Sequence, residues 1–420
     1  MESLRIWVNE TPVGRLRRNG RGVSFVYDDG VARKDAVSML MPVQPASYDD
    51  PYRMLPIFDT NMPEGDLALR IHRVLAKDDR GRVDPLDVLA MTGGNQIGRI
   101  RVLPEGETPE RREPLGPVDA LLARSSTPEM VDDLIQNYGL RSGVSGAMPK
   151  TLAETEGEAA SRTTVQTRDW ILKFAGDGLD GLCLNEYHCL RACAAAGNET
   201  SDAALSDDGR MLAVRRFDFL ENDARVGFED FAALNWKRAD QKYEGSIETG
   251  LMKRAAEFSG SEVRDNLERL YRRILTSVAL RDGDAHLKNF ALLYEDTEKG
   301  PARLSPAYDV VTTRAHDEFR KDPMALTLGG TKRWPKPAAL KSLGGRARLK
   351  PAQAEKIMGE VAAGVAAEIP EMVRNMRAQG HGDLAEKMAE EWNDGLVNSL
   401  GADPVEVPPP EETCCDTPGM

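Results

Sequence analysis

The sequence predicts a mixed α+β chain in two lobes, one strand-containing and one helical, with a small β-rich module in front of them. Three observations carry this. Residues 1–103 open with LRIWVNETPVGRLRRNGRGVSFVYD, where apolar residues partly alternate and are broken by NETPVG and RNGRG, as in a short β-meander. Residues 118–218 mix periods: VDALLARSS is helical, RSGVSGAMPKTLAE is glycine-rich, WILKF is a strand, NEYHCLRACAAAG a helix and MLAVRRFDF a strand. From 219 to 402 the pattern turns mainly helical, through EDFAALN, IETGLMKRAAEF, VRDNLERLYRRILTSVAL and PAQAEKIMGEVAAGVAAEI.

The first module continues past its strands into a helix after Pro63, where Glu64 and Asp66 precede Leu67, Leu69, Ile71 and Leu75, and closes with the strand IGRIRVLP. Residues 104–117, PEGETPERREPLGP, are rich in Pro, Glu and Arg and read as a linker. The stretch 403–420, with clustered prolines and acids and almost nothing apolar to bury, reads as a disordered tail.

At 420 residues the chain has room for two or three domains. Fifty-five Lys and Arg against 68 Asp and Glu leave a net charge of −13, which argues against a broad nucleic-acid surface; any DNA role would come through a partner. No window has the unbroken apolar length of a membrane span, and the first residues lack the pattern of a secretory signal, so a cytoplasmic protein is expected. The five cysteines (Cys183, Cys189, Cys193, Cys414, Cys415) form no CxxC pair and suit reduced thiols, with Cys189 and Cys193 packing in a core.

The chemistry concentrates in LRDGDAHLKNFALLY (280–294), a charged knot between two apolar runs. Phosphoryl transfer needs a hold on the triphosphate, oxygen ligands for magnesium, and a base that orients the attacking hydroxyl. Asp284 and Asn289 are separated by four residues, the D-x-x-x-x-N spacing of a kinase catalytic loop, with the aspartate as base and the asparagine carbonyl as a metal ligand. Twenty residues on, RLSPAYDVVTT places Asp309 at the end of an apolar stretch, where kinases carry their second magnesium carboxylate. Lys173, inside the apolar strand WILKF, matches a phosphate-pairing lysine, and Glu186 on the following helix is either its partner carboxylate or a capping or surface residue. The run Ser142-Gly143-Val144-Ser145-Gly146, ending at Lys150, offers small residues to phosphate oxygens but is not a Walker A loop; TGGNQIG (92–98) is a weaker rival.

Taken in order, GVSGAMPK, WILKF, NEYHCLR, VRRFD, KYE, GDAHLKNF and LSPAYDV resemble the HipA family of bacterial serine/threonine kinase toxins, and WVNETPVGRL, IFDTNMPEG and GNQIGRIRVLP extend the likeness to the N-terminal module. The resemblance implies a protein-kinase-like bilobal fold and use of ATP and Mg2+. It implies Asp284 as catalytic base, Asn289 and Asp309 as metal ligands, Lys173 on the nucleotide phosphates, and Lys150 closing the glycine-rich loop. Arg215, Phe217 and Asp218 would hold adenine and ribose from the interlobe strand, while His286 and Lys288 would place substrate or phosphate. It further implies a helix-turn-helix, HipB-like antitoxin as partner and a protein substrate of the aminoacyl-tRNA synthetase class. The regulatory serine common in the family's glycine-rich loop is replaced by Gly143, so the candidates for autophosphorylation are Ser145 and, second, Ser142. Two other readings stay open: a small-molecule kinase of the same fold, and a weakly active or inactive nucleotide-binding partner of a repressor. Asp282, outside the motif, is expected to tolerate replacement by asparagine.

Overall fold

The computed structural model describes residues 2–63, 68, 71, 75, 84–110, 117–124, 126–134, 163–174, 181–220, 224–298, 300–407 and 409. The N-terminal module is an antiparallel sheet of β1 (Ser3–Val8), β2 (Thr11–Asn19), β3 (Gly22–Tyr27), β4 (Tyr48–Asp50) and β5 (Ile100–Pro104), in the order β4-β3-β2-β1-β5. Alternation decides which face is inside: Leu4, Ile6 and Val8 of β1 and Val23, Phe25 and Tyr27 of β3 are all buried in one cluster, with Phe58 tilted against Phe25. Helix α1 (Pro85–Thr92) covers part of this cluster; Asp84 caps it by accepting the Leu86 N–H at 2.8 Å, and Pro85 occupies its first turn. Of the helix expected after Pro63, Ala68, Ile71 and Leu75 are described and are helical. The sheet reaches further than the sequence suggests. Pro104 is still in β5, and Glu105 accepts hydrogen bonds from Ser3 and Arg15, so the segment expected to begin the linker is an edge of the module.

A second antiparallel sheet, β6 (Thr163–Gln166), β7 (Trp170–Phe174), β8 (Ala203–Leu205) and β9 (Met211–Arg215), runs in the order β6-β7-β9-β8, with α2 (Leu182–Ala195) packed on β9. A third sheet orders β10 (Gly227–Asp230), β11 (Ala291–Tyr294) and β12 (Arg303–Leu304). The stretch EDFAALN, expected to be helical throughout, therefore begins as a strand and turns helical only at Phe231. Its Glu229 and Asp230 pair with Leu292 and Ala291, and Asp230 then caps the helix Phe231–Leu234.

The large lobe is built on α3 (Val263–Ala279), α4 (Pro351–Ala378) and α5 (Gly382–Gly395). On α3, Leu267, Leu270, Tyr271, Ile274, Leu275 and Val278 recur at helical spacing and all enter the main core. Cys183, Cys189 and Cys193 are buried free thiols in the same core. The tail expected from 403 starts docked: the amide and carbonyl of Val405 bond the side chain of Asn393 on α5 at 2.7 and 3.0 Å. Residues 410–420, including Cys414 and Cys415, lie outside the described residues.

Candidate active site

The loop that follows α3 is fixed at its entry by Arg281, which adopts a left-handed backbone (φ 53°). Its guanidinium is 1% exposed, donates to the Asp394 carboxylate (2.7 Å), the Asp394 carbonyl (2.8 Å) and the Ser399 hydroxyl (2.9 Å), and lies over the Trp334 ring. Asp282 comes next, buried, its Oδ1 accepting the Asp284 N–H at 3.1 Å. Burial and the neighbouring Asp284 carboxylate push its pKa well above the ordinary aspartate range. Gly283 donates its N–H to Thr313 Oγ1 at 2.9 Å, and a Cβ there would come within 2.6 Å of that same oxygen. Glycine is therefore required where the chain beyond Asp309 folds back on the loop.

Asp284 emerges from this support. Its Oδ1 accepts a 2.6 Å hydrogen bond from Tyr243, while the adjacent Lys242 carbonyl takes the Leu287 N–H at 3.2 Å. His286 is buried edge-on against the Tyr243 ring, and burial lowers its pKa to about 4, so the imidazole is neutral at physiological pH. Asn289 accepts the His286 N–H at 3.2 Å and donates from Nδ2 to the Asp309 carbonyl at 2.9 Å. That second bond orients the amide and ties the two expected metal ligands to each other. The Lys288 charge lowers the pKa of half-buried Asp59 and of buried Asp230, against the larger upward push of desolvation.

Asp309 also has a left-handed backbone (φ 50°) and is flanked by Tyr308, whose hydroxyl donates to the Lys288 carbonyl at 2.7 Å and whose own carbonyl accepts from Arg273. Its carboxylate contacts the Lys173 ammonium, which also meets Glu186 Oε1 at 2.5 Å. Lys173 is 5% exposed and Glu186 fully buried, so this ammonium is desolvated and compensated by two carboxylates. Glu186 is thus the partner of the lysine, and the capping or surface reading is set aside. Sheet pairing places the lysine: Lys173 on β7 sits opposite Leu212 of β9, with α2 carrying Glu186 behind it.

The residues expected around adenine and ribose divide. Phe217 lies in an aromatic group with Phe228 and Tyr308, ring centroids 6.2 and 5.7 Å away, and so adjoins Asp309. Arg215 points to solvent beside Asp202 at 3.5 Å. Asp218 is 1% exposed and turned from the cleft: both its oxygens bond the buried Arg216 guanidinium, and Oδ2 also takes the Gly98 N–H. Its expected nucleotide contact gives way to a contact between the N-terminal module and the lobes. The TGGNQIG stretch serves the same joint, Asn95 and Gln96 accepting from Arg216 and Arg225, while a Cβ on Gly93 would come within 2.4 Å of the Val102 carbonyl and Gly98 holds a left-handed φ of 86°. Ser142, Gly143, Val144, Ser145, Gly146 and Lys150 lie outside the described residues.

What the site offers is a carboxylate held by a phenol, an oriented amide oxygen, a half-exposed carboxylate and a buried ammonium. Asn289 and Asp309 supply the hard oxygen ligands that magnesium prefers. Among the described residues no group of three or more His, Cys, Asp or Glu side chains is placed to hold a metal ion. Tyr243 was visible in the KYE motif but without a role, because a tyrosine forty-one residues upstream declares no contact with Asp284 in sequence. Among the described residues no helix is long and apolar enough to cross a membrane.

The model of the HipA-like C-terminal domain matches residues 142–369 and that of the HipA N-terminal domain residues 4–103. Two Sinorhizobium fredii (strain NBRC 101917 / NGR234) proteins, Y4dM and Y4mE, whose kinase designations are provisional, are 28% and 27% identical. The first alignment spans 67% of this chain and 68% of that protein, the second 78% and 80%. The HipA chain of a Shewanella oneidensis MR-1 complex of HipA, HipB and operator DNA superposes with a TM-score of 0.63 at 15% identity, over 95% of this chain and 98% of that one. The shared fold is α+β, a kinase-like bilobal body behind a β-rich N-terminal module. With one family model spanning more than half of the sequence and a second covering the module in front of it, the chain belongs to the HipA family.

Proposed function

We propose that this protein is an ATP- and magnesium-dependent serine/threonine protein kinase, the toxin of a HipA/HipB-like pair. The observation that carries the reading is the convergence of Lys173, Glu186 and Asp309 on one ion-paired group, joined through Asn289 to the loop that presents Asp284. Asp284, held by Tyr243, orients the attacking hydroxyl and takes its proton. Lys173 holds the nucleotide phosphates, and Glu186 keeps its ammonium in place. Asn289 and Asp309 would hold magnesium, which when bound neutralises charge on the transferring phosphate.

The substrate fits the class of translation-related proteins such as an aminoacyl-tRNA synthetase, with self-modification at Ser145 or Ser142 as a regulatory branch. The partner is a small helix-turn-helix antitoxin, since the Shewanella HipA lies in a complex with HipB and operator DNA. With a charge of −13, this chain meets DNA through that partner, in the cytoplasm.

The test is incubation of the purified protein and a cell lysate with labelled ATP, beside Asp284→Ala and Asp309→Ala. Label on one lysate protein, lost in both variants, supports the proposal. Label confined to metabolites would shift it to a small-molecule kinase, and no turnover in the wild type would reject catalysis.

A further inference from the structure

The segment Arg238–Tyr243 is a strap between the N-terminal module and the catalytic loop. At one end Asp59 of the module accepts the Ala239 N–H at 2.7 Å. At the other end the Lys242 carbonyl takes the Leu287 N–H at 3.2 Å, and the Tyr243 hydroxyl donates to Asp284 Oδ1 at 2.6 Å. Past the strap the chain is clamped again: the Gly245 carbonyl accepts the Thr327 N–H at 3.1 Å, and the Thr327 carbonyl accepts the Ile247 N–H at 2.9 Å. The backbone around Tyr243 is thus fixed from two sides, by the catalytic loop and by the chain beyond Asp309.

The phenol of Tyr243 stands in an acceptor's relation to the base. A general base must lie within about 2.6–3.2 Å of the group whose proton it takes, and this hydroxyl already meets that condition without any substrate. A side chain that only braces a catalytic carboxylate can be shut away behind it, but Tyr243 is 43% exposed and reaches Asp284 from solvent. The expected metal ligand is near. Asp309 and Asp284 both act on the charge of His286, whose ring lies edge-on to Tyr243 with centroids 5.1 Å apart. Two ammonium groups attend the same residue: Lys242 Nζ lies 5.5 Å from its ring centroid, and Lys332 Nζ donates to its carbonyl at 3.4 Å.

We propose that Tyr243 is an intramolecular phosphate acceptor and that its modification closes the site. The inference rests on the kinase reading above and names a residue at which that activity turns on its own chain. The clamped backbone supplies the proximity that a free tyrosine lacks. In the step, the Tyr243 hydroxyl gives its proton to Asp284 and its oxygen bonds to the γ-phosphorus of ATP. The bond from that phosphorus to the β,γ-bridging oxygen breaks, and ADP leaves with the electron pair. The product places about −1.5 to −2 charges beside the Asp284 carboxylate, where they repel the base and block an incoming hydroxyl. Lys242 and Lys332 are the cations within reach of that phosphate.

The wild type carries the test, because replacing Tyr243 would also remove the bond that holds the base. The full chain is incubated with ATP and Mg2+ over a range of enzyme concentrations, and the tryptic peptide 243–253 is sequenced by tandem mass spectrometry. Phosphate is expected on Tyr243 and not on Ser246 or Thr249 of the same peptide, at a first-order rate independent of enzyme concentration, and absent from Asp284→Ala. Molecules captured by a phosphotyrosine antibody should then label the lysate protein at least about tenfold more slowly than those that pass through, both having shared the incubation. A wild type that labels a lysate protein while Tyr243 stays unmodified would overturn the inference and leave the kinase reading standing. So would a rate that climbs with enzyme concentration, or a modified form as fast as the unmodified one. No phosphate on any protein from the wild type would sink the kinase reading and this inference with it.

Discussion

Replacing Asp230 by asparagine should stabilise the protein at neutral pH and do nothing in acid. Asp230 ends β10, is 1% exposed, and caps the helix Phe231–Leu234 by accepting the Ala233 N–H at 2.8 Å. Burial raises its pKa from the ordinary 3.8 to about 6, against the opposing pull of Lys288 and of the Ala233 and Ala232 amides. The gap between 6 and 3.8, at about 1.4 kcal/mol per pH unit, is worth about 3 kcal/mol. An acid whose folded pKa lies above its unfolded one binds its proton more tightly when folded. Stability is therefore whole below about pH 4, falls as pH rises toward about 6, and stays reduced above it. Asparagine caps a helix as well as aspartate does and cannot ionise. The variant should thus exceed the wild type by up to about 3 kcal/mol at pH 7, with the gap closing near pH 4. Urea midpoints of both proteins across pH 4–8 measure this. A gap independent of pH, or a variant weaker throughout, would refute the account of Asp230 as a desolvated carboxylate.

Tyr243→Phe removes the hydroxyl bonded to Asp284 and should lower kcat about tenfold with KM for ATP unchanged, as read from labelled-phosphate transfer. Asp282→Asn should keep activity within about threefold, because a carboxamide presents the same oxygen acceptor to the Asp284 N–H without the charge that burial disfavours, whereas Asp282→Leu orphans that amide and should cost about 1–3 kcal/mol. Glu186→Gln leaves Lys173 with less compensation and should raise KM for ATP about tenfold. His286, depressed to about 4 by burial, should show no imidazole titration by NMR between pH 5 and 8; a midpoint near 6.5 would mean that the ring is open to water.

What was legible in the sequence follows the range of the forces involved. Local patterns announced themselves: β1 and β3 through alternation, and α3 through its apolar stripe. The spacing of Asp284 and Asn289 was readable because both lie on one loop, where five positions fix geometry. Long-range partners were not. Glu186 was ambiguous because only the packing of α2 behind β7 brings it to Lys173, and Asp218 was misjudged because its partner module lies about 120 residues upstream at Gly98. EDFAALN misled for another reason: its composition suits a helix, but pairing with the apolar strand ALLY outweighs that preference for its first two residues. Asp282 looked incidental because desolvation leaves no mark on sequence.

The joints between the N-terminal module and the lobes bear on the same point. Glu229 is fully buried on β10, yet it is satisfied by donors from both sides: Ser38 Oγ at 2.8 Å and the Met39 amide at 2.7 Å from the module, and Tyr294 at 2.6 Å from β11. Gly98, whose Cβ would approach Phe228 Cβ to 2.9 Å, lets the module's backbone lie against the same strand. The residue after Glu229 is Asp230, which faces Lys288 of the catalytic loop, and Asp59 of the module faces that lysine too. The module therefore does more than shield an edge. It completes the hydrogen bonding of a strand whose next residue sets the electrostatics of the catalytic loop, and through the strap it holds the tyrosine that touches the base. A buried carboxylate stripped of two donors is costly, so separating the module from the lobes is destabilising at Glu229, and the support of Asp284 draws on residues toward both ends of the chain, Asp59 through the strap and Asp394 through Arg281.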